Sequence, residues 1–144
     1  MIGPQLQAAL ARYGLGDLAP WLSEMIVSNA SDAEIELGLR EQPAFRTRFW
    51  MIFEREKAGL SPISPDWVVE YEARVMEGAR ALGATVTREQ IGRLIANNVS
   101  AEESLNRVSI AATAVYQSPP ETRAALGRLY GITHADMVDY WLDP

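Results

Sequence analysis

Apolar positions along this chain recur every three or four residues, seldom every two. Phe45, Phe49, Ile52 and Phe53 fall on one face of a helix expected over 43–58. Val68, Tyr71, Val75 and Leu82 share a face over 65–82, and Leu105, Val108, Ala112 and Val115 share one over 101–117. Leu18, Leu22, Met25 and Ile26 stripe a helix over 18–28. Leu126, Leu129 and Tyr130, then Met137, Val138, Trp141 and Leu142, continue the pattern to the C-terminus. A period near 3.6 residues marks helices that bury one side. Each large apolar side chain taken out of water contributes about 1.5–3 kcal/mol, so these stripes must meet one another.

Helix punctuation agrees with the stripes. "PQLQAALARYG" offers Pro4 to a first turn and Gly14 to a C-terminal cap. "SDAE" (Ser31 to Glu34), "SAEE" (Ser100 to Glu103) and "TREQ" (Thr87 to Gln90) have the capping-box pattern, in which a hydroxyl accepts from a free backbone N–H and the third residue on reaches back. "SPDW" sets Ser64 before Pro65, "SPPE" and "THAD" read as two further starts, and "AGLSPIS" (58–64) is the most loop-like connection. Many starts and few alternating β-branched runs predict an all-α fold of about nine short-to-medium helices, packed as one compact domain over 1–144.

Within that domain the chain echoes itself, either as a diverged helical repeat or as a coincidence of the helix signals that recur in any all-α chain. "MIVSNASDAE" (25–34) aligns with "LIANNVSAEE" (94–103) at an offset of 69 (94 − 25), pairing Ile26 with Ile95, Asn29 with Asn98, Ser31 with Ser100 and Glu34 with Glu103. Asn suits such a junction because it tolerates left-handed backbone. The expected units are 18–82 and 87–144. "RYGLGDLAPWL" and "YGITHADMVDYWLDP" then read as junctions of the repeating unit rather than as a paired site.

Composition narrows the function. Apolar residues make up 48% of the chain, which supports a packed core. No apolar run approaches the length of a membrane span, and the start lacks the pattern of a secretory signal, so the chain reads as soluble and made in a cytoplasm. There are no cysteines and one histidine, His134, which removes disulfides, thiolate chemistry and multi-histidine metal sites. The net charge of −6 opposes nucleic-acid binding. The basic stretch Arg40, Arg46, Arg48, Arg55 and Lys57 is interleaved with Glu41, Glu54 and Glu56. Arginine outnumbers lysine twelve to one, in keeping with a GC-rich genome.

No catalytic constellation stands out. His134 and Asp136 sit two apart at a helix start, where they do not face each other, and Thr133 with Asp136 reads as a cap pair. Glu54, Glu56, Glu70 and Glu72 would serve a glycoside hydrolase only as two carboxylates across a cleft, and solvated helix faces explain them better. No Gly-x-Ser-x-Gly, phosphate-binding glycine loop or His-Glu-x-x-His occurs. No catalytic, cofactor-binding or metal-ligating residue is therefore expected. Each of the four tryptophans, Trp21, Trp50, Trp67 and Trp141, reads first as a core or rim residue of a small helical domain. Trp50, Trp67, Trp141 and the neighbouring Tyr140 are the interface candidates, with Trp50 foremost because Phe45, Phe49 and Phe53 already supply its helix's core.

The order of motifs resembles a segment of structural proteins of tailed bacteriophages, notably those of actinobacterial hosts. "PAFRTRFWMIFEREKAGLSPISPDWVVEYEARV" has the family's Pro-x-Phe start, Arg-Phe pair, charged stretch, Ala-Gly-Leu-x-Pro-Ile-Ser-Pro and Glu-Tyr-Glu. "VSAEESLNRV", "PPETRAALGRLYGI" and the closing "WLDP" follow in the family's order, and "YGLGDLAPWLSEMIVSNASDAEIELGLREQPAF" is of the same type. In the family more chain usually follows the Leu-Asp-Pro, whereas here Pro144 is the end; a stand-alone module and the helical part of a larger component are both open. The resemblance implies a non-enzymatic virion protein of tail, connector or head interior. It would contact other virion proteins or copies of itself, with no nucleic acid or membrane partner. The alternative is a small phage-encoded adaptor or inhibitor of a host protein, and a cell-wall hydrolase is the third reading.

Overall fold

A computed structural model describes residues 2–117, 120–122, 124, 125 and 142. The described residues are all-helical: α1 (Ile2–Arg12), a 3-10 turn (Gly16–Leu18), α2 (Ala19–Val27), α3 (Asp32–Glu41), α4 (Pro43–Arg48), α5 (Trp50–Lys57), α6 (Pro65–Ala81), α7 (Arg88–Ala96) and α8 (Ala101–Gln117). None is long and apolar enough to cross a membrane. Ser118 and Pro119 of the start expected at "SPPE", the start at "THAD", the stripes 126–130 and 137–141, and the pair His134 and Asp136 lie outside the described residues. Contacts group the chain into two units, Met1–Phe53 and Glu54–Pro144, with the division inside α5.

In the first unit α1 packs on α2 and α3 on α4. Leu10, Leu22 and Phe49 are fully buried. A Cβ on Gly38 of α3 would come 2.9 Å from the Trp21 ring, so this glycine is the space the indole occupies. The helix expected over 43–58 is broken. Phe49, at φ −113° and ψ 36°, ends α4, and α5 begins one residue later. Phe49 stacks edge-on against Tyr13 with ring centres 5.4 Å apart, and Arg48 Nε donates to the Tyr13 carbonyl at 3.1 Å. Long-range contacts thus fix the residues at the break, which a helical period does not encode. Ile26, expected to face inward with Leu22, is exposed.

In the second unit α6 lies on α8 and α7. Val68, Tyr71, Val75 and Ala79 form its inner stripe. Leu82, expected on that stripe, is 42% exposed because the helix ends at Ala81 and the chain turns away at Gly83. Ser104, Val108, Ala111 and Ala112 line α8. A Cβ on Gly78 would overlap the Leu105 side chain, so small residues set how closely these two helices approach.

The helix ends reuse one device. Gly14, Asn29, Gly59, Gly83 and Asn98 are the described residues with positive φ, between 58° and 77°. At Asn29 the N–H donates to Ile26 O, and the Ala30 N–H to Met25 O. At Asn98 the N–H donates to Ile95 O, and the Val99 N–H to Leu94 O. This pair of bonds satisfies carbonyls that a helix end leaves orphaned. The hydroxyls of Ser31 and Ser100 then accept from the N–H groups of Glu34 (3.2 Å) and Glu103 (3.1 Å). Gly14 and Gly83 are spaced like Asn29 and Asn98, 69 residues apart (83 − 14, 98 − 29). Thr87 and Gln90 form the full reciprocal box, at 3.1 and 2.9 Å. The Glu103 carboxylate, expected to reach back to Ser100, instead accepts from Arg107 Nε at 3.3 Å.

Candidate functional site

The start of α6 builds a small aromatic groove. Ser64 caps the helix by accepting from the Trp67 N–H at 3.1 Å. That fixes the register in which Trp67, Glu70, Tyr71 and Arg74 fall at i, i+3, i+4 and i+7 on one face. Trp67 and Tyr71 stack with centres 5.2 Å apart and planes tilted by 40°. These four residues and Ala101, the first residue of α8, line a groove of about 170 Å³.

Tyr71 makes the floor rigid. Its ring is buried, and its hydroxyl donates to the Val99 carbonyl at 2.8 Å. The Ser104 hydroxyl is also hydrogen-bonded to it; with the phenol proton committed to Val99, Ser104 is the donor. Burial raises the phenol's pKa above its usual 10, while the Ser104 hydrogen bond and the Arg107 charge act in the opposite sense. The aromatic floor is therefore bolted to the Val99–Ser104 junction at the start of α8.

The rim is charged. Arg74 does not turn back to Glu70, one helical turn away, but reaches Glu102 of α8 at 3.8 Å. The Glu70 carboxylate makes no hydrogen bond or ion pair among the described residues. Trp67 is 39% exposed, so much of its ring meets solvent. A groove of this size is well below the roughly 300–1,000 Å³ of a small-molecule or cofactor site and suits one side chain of a partner. A wider groove of about 550 Å³, lined by Ala73, Met76, Glu77, Arg80 and 84–86, has no aromatic anchor.

The other predicted site residues are dispersed. Trp50 is half-buried in α5, and Trp141 and Tyr140 lie outside the described residues. The arginine-rich stretch serves packing. Arg40 and Arg46 lie over the Phe53 ring, 4.9 and 4.5 Å from its centre, and Arg48 lies 4.7 Å over Phe49. Arg55 is 5% exposed and donates to Ile95 O (3.1 Å), Asn98 Oδ1 (3.0 Å) and Ser61 O (3.0 Å). Of the four glutamates weighed as catalytic, Glu54, Glu56 and Glu70 are exposed and Glu72 is buried. Sequence reasoning picked out Trp67 but missed Tyr71 and Glu70 as its companions; the i, i+3, i+4 spacing from a capped start was the available signal. Comparison with family models, with curated proteins and with solved structures finds no match.

Proposed function

We propose that this chain is a non-enzymatic structural component of a tailed phage particle, acting through protein–protein contacts, with the Trp67 groove as one docking surface. The observation that carries the docking role is a solvent-facing tryptophan held on a buried, hydrogen-bonded tyrosine. A large aromatic group on a pre-organised platform is the kind of anchor that dominates protein interfaces, because little side-chain entropy is lost on binding. The order of sequence motifs, from "YGLGDLAPWL" to "WLDP", supports the phage assignment. Other virion proteins or further copies of this chain are the partners, and the virion is its destination.

Mass spectrometry of purified particles tests the reading. The chain should be present at a reproducible ratio to the major structural proteins. A chain abundant in infected cells but missing from particles would overturn it in favour of the adaptor reading.

A further inference from the structure

We infer that the Trp67 groove receives an arginine side chain from a partner segment, with the guanidinium on the indole face and its charge met by the Glu70 carboxylate. That the partner is another virion protein rests on the proposed function; the chemistry of the contact does not.

The sign of the charge follows from the groove's surroundings. The start of a helix favours anions through its free N–H groups. Here, however, the first turn of α8 already carries Glu102 and Glu103, and Ser100 occupies the Glu103 N–H. Glu102 and Glu103 are paired with Arg74 and Arg107, so the carboxylate that an incoming anion would meet uncompensated is Glu70. Arg74, turned toward Glu102, leaves Glu70 without a cation of its own. Glu70 is the lining carboxylate left without a partner, beside the exposed aromatic face. An aliphatic side chain would cover Trp67 yet strip water from Glu70 without replacing it, which is unfavourable. A cation satisfies both groups at once. Arginine fits better than lysine because its planar, weakly hydrated head can stack on the ring while its N–H groups reach the carboxylate. The net charge of −6 favours approach of the same kind of partner.

The chain's own aromatic residues show the same pairing. Phe53 carries Arg40 and Arg46, and Phe49 carries Arg48. Trp67 is exposed and has no cation over it among the described residues.

The test uses the full-length, 15N-labelled chain and two probes, acetyl-Gly-Arg-Gly-amide and its citrulline counterpart, which has nearly the same shape without the charge. The arginine peptide should shift the Trp67 indole N–H and the amides of Glu70, Arg74 and Ala101 in a saturable way. The citrulline peptide should bind about tenfold more weakly or not measurably. Glu70→Gln, an exposed substitution that leaves the stacked pair intact, should weaken arginine binding by about three- to tenfold, and Trp67→Leu should weaken it as much or more. Equal responses to the two peptides, shifts spread over other acidic surfaces, or binding unchanged in Glu70→Gln and Trp67→Leu would each overturn the inference. No particle enters this measurement. Absence of the chain from virions would remove the assembly role and leave the peptide result standing, whereas peptide failure would leave virion incorporation untouched.

Discussion

Arg55 has a charged head buried among neutral acceptors: two carbonyls and one amide oxygen. Its Nε is buried with no hydrogen bond among the described residues. The side chain joins α5 to the 58–64 loop and to the end of α7, so its removal would leave the Ser61 and Ile95 carbonyls and the Asn98 amide oxygen without this donor. Arg55→Ala should therefore destabilise the chain by about 3 kcal/mol, read by urea unfolding, and Arg55→Lys, which keeps the charge but not the planar fork, should fall between. Tyr71 has a different signature. Its pKa is raised in the folded chain, so the unfolded phenol ionises first as pH rises. The stability this group contributes is complete below pH 10 and is lost as pH climbs through the folded-state value. Tyr71→Phe should cost about 1–3 kcal/mol at pH 8 and show a smaller further loss between pH 8 and 11 than the parent chain.

The same local device serves two helix junctions, yet its surroundings differ. Asn29 and Asn98 both adopt left-handed backbone, which an alanine would enter only at about 1–2 kcal/mol. Asn29 is exposed, whereas the Asn98 side chain accepts from Arg55. Asn29→Gly should thus be neutral or slightly stabilising, and Asn98→Gly destabilising by about 1–2 kcal/mol, a difference that thermal melts of the two variants would show. These junctions were legible in the sequence because a cap is written within a few residues: Asn, then Ser, then Glu three further on. The break at Phe49 was not, since Tyr13, whose ring meets it edge-on and whose carbonyl takes the Arg48 hydrogen bond, lies far earlier in the chain, just past the end of α1. Nor was the close α6–α8 approach, which needs Gly78 and Leu105 to coincide in space. In the site, the Trp67–Tyr71 spacing was readable, but the choice of Arg74 between Glu70 and Glu102 depends on where α8 begins. Gly78→Ala makes this tertiary term measurable. In a Leu105→Ala background it should gain the roughly 1 kcal/mol that alanine is worth inside a helix. In the parent chain part or all of that gain should vanish against the Leu105 side chain, and a double-mutant cycle reads the coupling.

At the scale of the whole molecule, a net charge of −6 and a local acidic groove predict different behaviour. If the excess negative charge alone drew a basic partner, any exposed glutamate would serve equally. Glu70→Arg and Glu24→Arg separate the two causes, because each loses one negative charge and gains one positive, moving the net charge from −6 to −4. Both residues are exposed, and neither side chain makes a hydrogen bond or ion pair among the described residues, so each variant should stay within about 0.5 kcal/mol of the parent. Glu24 sits in the last turn of α2, where a cation is if anything favourable. If the Trp67 groove is the docking surface, Glu70→Arg should lower the copy number in purified particles, because it sets a cation where a partner's cation must enter and like charges in a shared site repel. Glu24→Arg should leave the copy number near that of the parent. An equal loss in both would assign the effect to net charge and remove the groove from assembly.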